Sequence, residues 1–434
     1  QKQFTVCNVK TEGNELRMRV LSKECPFCRR PGSCAGSGRT PISTQQITGR
    51  YFEMLFRNEF YKICSRKILF TGVLLGFLFL AAYFQMSALG SESAYVDGTC
   101  LRRTDAIQYN RETARRFAGP MTREKAQAIV DEFGWHINED ELEMSETGDT
   151  TPGYYDNSTS RFVTYNLSNI RSNEGTPTAL AASENKYTTE MMNGEYEYGY
   201  MGGWDDTFRE MHMMLLWIVS ALVIIACAPV FSEEYAGQTA GILLTTQNGK
   251  GKTAAAKILA AFTWAAGIYV LLTLFLVGAF LCFYGTEGLF VSAGLSFPDL
   301  ITGSVLWNTD SHKPTGIVLL LYLLAGLLSV LVTAAITLFI SSVKKSTFSA
   351  LLWSAAAYLL PAAIYSVFLL GMRASKVIML LRLLFNCLPF FLPLHELTST
   401  PVLYRLFGYL FSGCILVSGC VLGCRKYCRY QVGK

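Results

Sequence analysis

Uncharged apolar residues gather along this chain into six runs: Ile68–Leu89, Met211–Phe231, Ile258–Thr286, Pro314–Val343, Ser346–Met372 and Leu406–Cys424. None contains Asp, Glu, Lys or Arg. Crossing about 30 Å of hydrocarbon takes roughly 20 apolar residues in a helix. Each Leu, Ile, Val or Phe inserts at about −0.3 to −0.6 kcal/mol, against about +2.5 to +3.5 kcal/mol for a central charge. The pattern therefore predicts six transmembrane helices, at 68–89, 211–231, 258–286, 314–343, 346–372 and 406–424. Buried helices of a large soluble protein rarely need six runs of this length, and that reading is set aside. A seventh apolar stretch, Val377–Leu394, holds Arg382, Pro389 and Pro393 and runs into His395 and Glu396. Its prolines leave backbone groups that need partners elsewhere. The segment 377–396 is expected to be re-entrant or interfacial rather than spanning.

The polar intervals complete the layout. In Arg50–Lys67, Phe52, Leu55, Phe56, Phe60 and Ile63 share one helical face, with Arg50, Glu53, Arg57, Lys62 and Arg66 away from it. This spacing predicts an amphipathic interfacial helix over 50–67. Residues 1–49 form a polar tail and linker, 232–257 a short loop, and 425–434 a basic tail. Flanking Lys and Arg set the orientation. Arg57, Lys62, Arg66, Lys67, Lys250, Lys252, Lys257, Lys344, Lys345, Arg425, Lys426 and Arg429 all fall on one side of a six-span chain, while Arg373 and Lys376 dissent. Both termini are thus expected in the cytoplasm and residues 90–210 outside.

That insert differs in composition. Ala88–Glu210 holds 22 acidic and 11 basic residues, a net −11 against +16 for the rest of the chain. Thr122 is placed to cap a helix whose Ala126, Ile129, Val130 and Phe133 recur at helical spacing. Gly148–Tyr200, rich in Gly, Thr, Ser, Asn and Tyr, suggests short strands and loops. A small α+β extracytoplasmic domain between the first and second spans is expected. The fold class is an all-α polytopic membrane protein carrying that insert.

Composition narrows the function. Of 434 residues, 51% are hydrophobic and 16% charged, with a mean hydropathy of +0.27. Soluble domains carry roughly 25% charged residues. The spans lack the intramembrane acids and bases that ion-coupled carriers use as relays, and the catalytic groups an intramembrane enzyme needs; of Asp, Glu, Lys, Arg and His they hold only His212, at the edge of the second span. No basic face with interleaved aromatics suggests nucleic acid. Thr246–Thr253 ends in Gly-Lys-Thr, but Thr246 stands where a phosphate-binding loop requires Gly. Cys25 and Cys28, with Cys7 and Cys34, lack the regular spacing of a zinc site and read as reduced thiols. The sequons at Asn157 and Asn166 are read as chance triplets, His136 as a packing or surface residue, and the acidic run Glu139–Glu146 as solvated. Position 1 is Gln rather than Met, as in a truncated or processed chain, and the late first apolar run speaks against a secretory signal.

The order of these parts resembles the permease subunit of a bacterial type-2 ABC exporter: an amphipathic helix, a first span, a large outer loop, then five more spans. The most specific local match is residues 231–259. Glu233 or Glu234, Gly237, Thr239, Leu243, Leu244 and then Lys250, Lys252 or Lys257 fill the places of an acid, a Gly-Thr-like pair, paired leucines and a basic segment. Gln247-Asn248-Gly249 stands where the family often has proline. The resemblance covers roughly residues 50–430. It implies a homo- or heterodimeric pore in a bacterial cell membrane, each copy docked on a cytoplasmic ATPase subunit that binds ATP and Mg, with no cofactor on the permease itself and no catalytic or metal residues. Glu233, Glu234, Gly237, Thr239, Lys250 and Lys252 are the residues expected to couple the two. The contrasting reading is a membrane receptor or immunity-type protein that binds a ligand through 90–210. The cargo is not legible.

Overall fold

The computed structural model describes residues 44–96, 99–135, 157–169, 177–181, 186–245, 251–302, 311–365, 387–398 and 401–430, with Val367, Leu381, Leu384 and Phe385 besides. Cys7, Cys25, Cys28, Cys34, His136, Glu139–Glu146, Lys250, Arg373, Lys376 and Arg382 lie outside the described residues.

The helices of the bundle are α1 (Thr44–Cys64) and α2 (Lys67–Tyr83), then, after the insert, α7 (Asp206–Cys227), the short α8 (Pro229–Ala236) and α9 (Ala240–Thr245), α10 (Lys252–Tyr284), α11 (Thr315–Val343), α12 (Thr347–Ile364) and α13 (Val402–Cys428). Among the described residues six stretches are long and apolar enough to cross a membrane: Lys67–Ala88, Asp206–Ala236, α10, α11, α12 and α13. The chain is an all-α polytopic membrane protein with small sheets in its insert.

The bundle is held by close helix approach. A Cβ on Gly72 would lie 2.6 Å from Leu222, and one on Gly76 3.0 Å from Ile218, so α2 lies tightly on α7. A Cβ on Gly419 would lie 3.0 Å from the Ala335 carbonyl oxygen, and Gly423 faces Phe339. Gly419 and Gly423 form the small-residue spacing that lets membrane helices touch backbone to backbone, here α13 on α11. Between α7 and α8, Pro229 has no N–H and interrupts the helical ladder. Ser341 of α11 fills the break, accepting from the Phe231 N–H (3.0 Å) and the Ser232 N–H (3.1 Å) and donating to the Ala228 carbonyl (2.6 Å). The break between α7 and α8 is thereby tied to α11.

Near its other end α7 carries buried His212. Its Nε2 lies 3.0 Å from the Tyr269 hydroxyl, whose one proton goes to the Leu323 carbonyl at 2.7 Å. Nε2 must therefore be the donor, and His212 joins α7 to α10 and, through Tyr269, to α11.

The proline-rich segment after α12 is also tied down. The Pro389 carbonyl accepts from Ser329 (2.5 Å) and the Cys387 carbonyl from Ser412 (3.0 Å). Both serines lie well inside long helices, so freed carbonyls find hydroxyl partners on α11 and α13. Glu396, 4% exposed, closes the segment onto α13 by pairing with Arg405 at 3.1 Å and accepting from the Tyr409 hydroxyl.

The insert contains antiparallel β1 (Ser93–Val96) and β2 (Thr99–Arg102), α3 (Thr104–Arg116), β3 (Gly119–Thr122), α4 (Arg123–Phe133), α5 (Ser158–Phe162), α6 (Lys186–Met191) and β4 (Asn193–Tyr198), with β3 antiparallel to β4. Thr122 caps α4, its hydroxyl accepting from the Lys125 N–H at 3.2 Å. The 157–169 and 186–191 stretches, expected as strands and loops, are largely helical. Asn157 supplies an N-cap to the Ser160 N–H (2.8 Å), and Phe162, Val163 and Leu167 bury into the insert's core. Buried as a cap, Asn157 offers no surface side chain at that sequon. Nor is the core built from 90–210 alone. Val291, Leu295 and Ile301, from the connection between α10 and α11, pack with Met121, Ile129 and Tyr196. Ser292 exchanges hydrogen bonds with Glu197 at 2.8 and 3.0 Å.

Candidate coupling site at the charged end of the bundle

At the end of the bundle away from the insert, α1, the start of α10 and the ends of α8 and α13 meet around buried charges. Lys257, 2% exposed, stands one turn into α10 among Thr253, Ala254, Ala256 and Ala260, all buried. Its Nζ lies 2.8 Å from Glu59 Oε2 on α1 and 2.7 Å from Glu234 Oε1 on α8. Glu234 also accepts from the Tyr427 hydroxyl of α13 at 2.6 Å, and Lys62 reaches Glu59 at 2.8 Å. One ammonium therefore joins α1, α8 and α10, and one phenol adds α13. Burial works against ionisation of Glu59, but Lys257, by charge and by hydrogen bond, and then Lys62 outweigh it and hold the carboxyl below its ordinary range.

The adjacent pair is of a different kind. Arg66 Nη2 lies 2.7 Å from Glu233 Oε2, with the Glu233 side chain 66% exposed. Arg66 also donates to the Ala226 carbonyl (3.1 Å). An exposed pair contributes about 0–1 kcal/mol, whereas breaking a buried pair on one side costs about 3–5 kcal/mol. The two neighbouring acids are thus unequal: Glu233 is a surface tie, and Glu234 holds the packing of four helices.

Gly237 and Thr239 end α8. The Gly237 N–H donates to the Glu233 carbonyl (2.8 Å) and the Thr239 N–H to the Glu234 carbonyl (3.0 Å), with Gln238 between them at φ 54°. This sharp turn, which L-residues other than Asn and Asp rarely adopt, separates α9 from α8. Within α9, Ala240 and Leu244 are buried and Ile242 is 71% exposed. Lys252 opens α10. Its Gly-Lys-Thr context follows helix α9 rather than a strand, unlike a phosphate-binding loop. Tyr235 reaches the Ser342 carbonyl (3.1 Å) and packs its ring 4.6 Å from that of Tyr430. A cavity of about 790 Å³ opens between α1, α8 and α9, bordered by Glu59, Arg66, Glu233, Thr239 and Ile242.

Of the residues expected from the sequence, Glu233, Glu234, Gly237 and Thr239 lie together here, with Lys252 at the start of the next helix. Glu59, Lys257 and Tyr427 complete the arrangement. Glu59 had a readable signal, for it falls on the apolar stripe of α1 between Leu55 and Ile63. The apolar residues of α1 do not all await lipid: Phe56, Phe60 and Ile63 pack on the bundle's core, and α1 lies along α10.

A family model described as ABC-2 family transporter protein matches residues 54–404. No curated protein matches the chain, and no solved structure does.

Proposed function

From the premise that this chain belongs to the ABC-2 family of transporter proteins and is a membrane-spanning permease, we propose that it forms the path for ATP-driven export. In this reading a separate cytoplasmic ATPase subunit binds ATP and Mg, and that subunit docks at α9 and the cavity beside it. A second permease copy, identical or homologous, completes the pore. The insert faces outward from a bacterial plasma membrane, as the basic flanks of the spans suggest. The family is a membrane component and not itself catalytic.

The observation that carries the reading is the way charge and packing converge behind α9. A displacement of α9 is passed to α8 through the Gln238 turn. Lys257, Glu59 and Tyr427 then hand it to α10, α1 and α13, and Ser341 with Ser342 to α11. Buried ion pairs in fixed geometry transmit such a displacement because packed interfaces shift as units rather than deform continuously. Exposed Ile242, on a helix otherwise anchored by Ala240 and Leu244, is an apolar knob of the kind a partner buries. Because Glu234 is buried, Glu234→Gln is a cleaner probe of this coupling than alanine at both Glu233 and Glu234.

Purification of the tagged chain from its own membranes in mild detergent tests the proposal. An ATP-hydrolysing subunit should accompany it in fixed stoichiometry, and a chain that consistently purifies without one is not driven this way.

A further inference from the structure

The end of α13 carries a thiol pair that the coupling arrangement does not use. Cys424 and Cys428, four residues apart on one face, bring their sulfurs to 4.0 Å in a part-buried contact, and neither is in a disulfide. Residues at this spacing have Cβ atoms about 5–6 Å apart, so the two sulfurs lean toward each other. Both side chains pack at the edge of the bundle's core and stay partly exposed. They stand where α13 ends, on the side of the bundle that holds the buried charges.

Ligand count, width and charge narrow what such a pair would hold. Thiolates are soft ligands and select soft cations. Structural zinc takes four ligands, and among the described residues no three of His, Cys, Asp and Glu gather to hold a metal ion. Two thiolates alone suit a soft monovalent cation held between them. Metal–thiolate bonds of about 2.3 Å on either side of one ion span at most about 4.6 Å, so sulfurs at 4.0 Å already flank a space of the right width. Arg425 and Lys426 lie in the same turn and Arg429 follows it. One monovalent cation on two thiolates leaves a single net negative charge, which these three side chains offset.

We propose that Cys424 and Cys428 bind Cu(I), a soft monovalent cation, as a two-coordinate dithiolate. Each thiol gives up its proton: two thiols and one Cu(I) become one sulfur–copper–sulfur unit of single negative charge, and two protons pass to solution. The ion bridges successive turns of the helix around Tyr427, whose hydroxyl donates to Glu234, so occupancy fixes the turn that ties α13 to α8. The proposal does not depend on the export reading, because binding is measured without nucleotide or ATPase.

The test is anaerobic titration of the full chain, in neutral maltoside detergent, with Cu(I) buffered by bathocuproine disulfonate. Cys25→Ser and Cys28→Ser are present throughout, which removes the Cys-Pro-Phe-Cys pair of the sequence. This background should take one equivalent of Cu(I) from the chelator, and X-ray absorption at the copper edge should show two sulfur neighbours. Cys424→Ser and Cys428→Ser should each lose that equivalent, whereas Cys414→Ser, exposed earlier on α13, should keep it. Zn(II) in excess should not displace the copper. Failure of the background to take up Cu(I), full uptake by either Cys424→Ser or Cys428→Ser, or a copper shell without two sulfurs would overturn the site. Displacement by Zn(II) would overturn its assignment to a soft monovalent cation.

Discussion

Lys257→Met is expected to be among the most damaging single changes in this protein, lowering stability by about 3–5 kcal/mol. Methionine nearly fills the lysine's volume, so packing around Ala254 and Ala260 survives and the loss is electrostatic. What remains is Glu59 and Glu234 facing one another in a buried space, each formerly within 2.8 Å of the same ammonium. Thermal unfolding in detergent measures the loss. Adding Glu59→Gln to Lys257→Met should recover part of it, since residues in one network do not combine additively. Purely additive losses would mean that the three groups are not coupled. Acid should act in the same direction through Glu59. Its folded carboxyl titrates below the ordinary value of 4.5, so its contribution is present above that value and is lost as pH falls through the lower folded one. The attachment of α1 should therefore weaken as pH falls below about 4.5.

Glu396→Ala should have an effect of comparable size at the far side of α13. It takes the carboxylate from Arg405, 8% exposed, and removes the acceptor of Tyr409. The expected cost is again about 3–5 kcal/mol, and release of the Cys387–Glu396 segment from α13 should follow. Labelling of Cys387, buried in the intact protein, reports that release. The double change Glu396→Leu with Arg405→Met removes both charges and should lose much less, because an apolar pair of similar volume is often neutral relative to a buried ion pair. If the single and double changes label Cys387 equally, charge pairing is not what holds the segment.

The spans were legible because one property, an uninterrupted apolar run, suffices for insertion. All six helices lie where those runs predict, though several are longer. The second continues through Glu233 and Glu234 to Ala236, since a helix does not stop where hydropathy does. The last continues to Cys428, which carries Tyr427 onto a helix face where a basic tail was expected. The pairing of Glu59 with Lys257, 198 residues apart, was not legible, because it depends on how α1 lies on α10. The hints were local: a carboxylate within the apolar stripe of α1, and a lysine at the buried spacing of α10. The insert's helices and shared core were hidden for a related reason. Its core borrows Val291, Leu295 and Ile301 from a connection with no periodicity of its own, and its helices at Ser158 and Lys186 are too short for pattern to outweigh Gly, Ser and Asn content.

The claim on which the account rests is that α9 is where a separate ATPase engages the permease. A photo-crosslinking amino acid in place of Ile242, in the full chain within its own membrane, tests it most directly. The same group in place of Met86, 76% exposed in the π-helical turn Phe84–Ala88 that follows α2, serves as the reference. Position 242 should capture an ATP-binding subunit and position 86 should not. Capture of no ATP-binding protein at 242, or equal capture at both positions, would contradict the account.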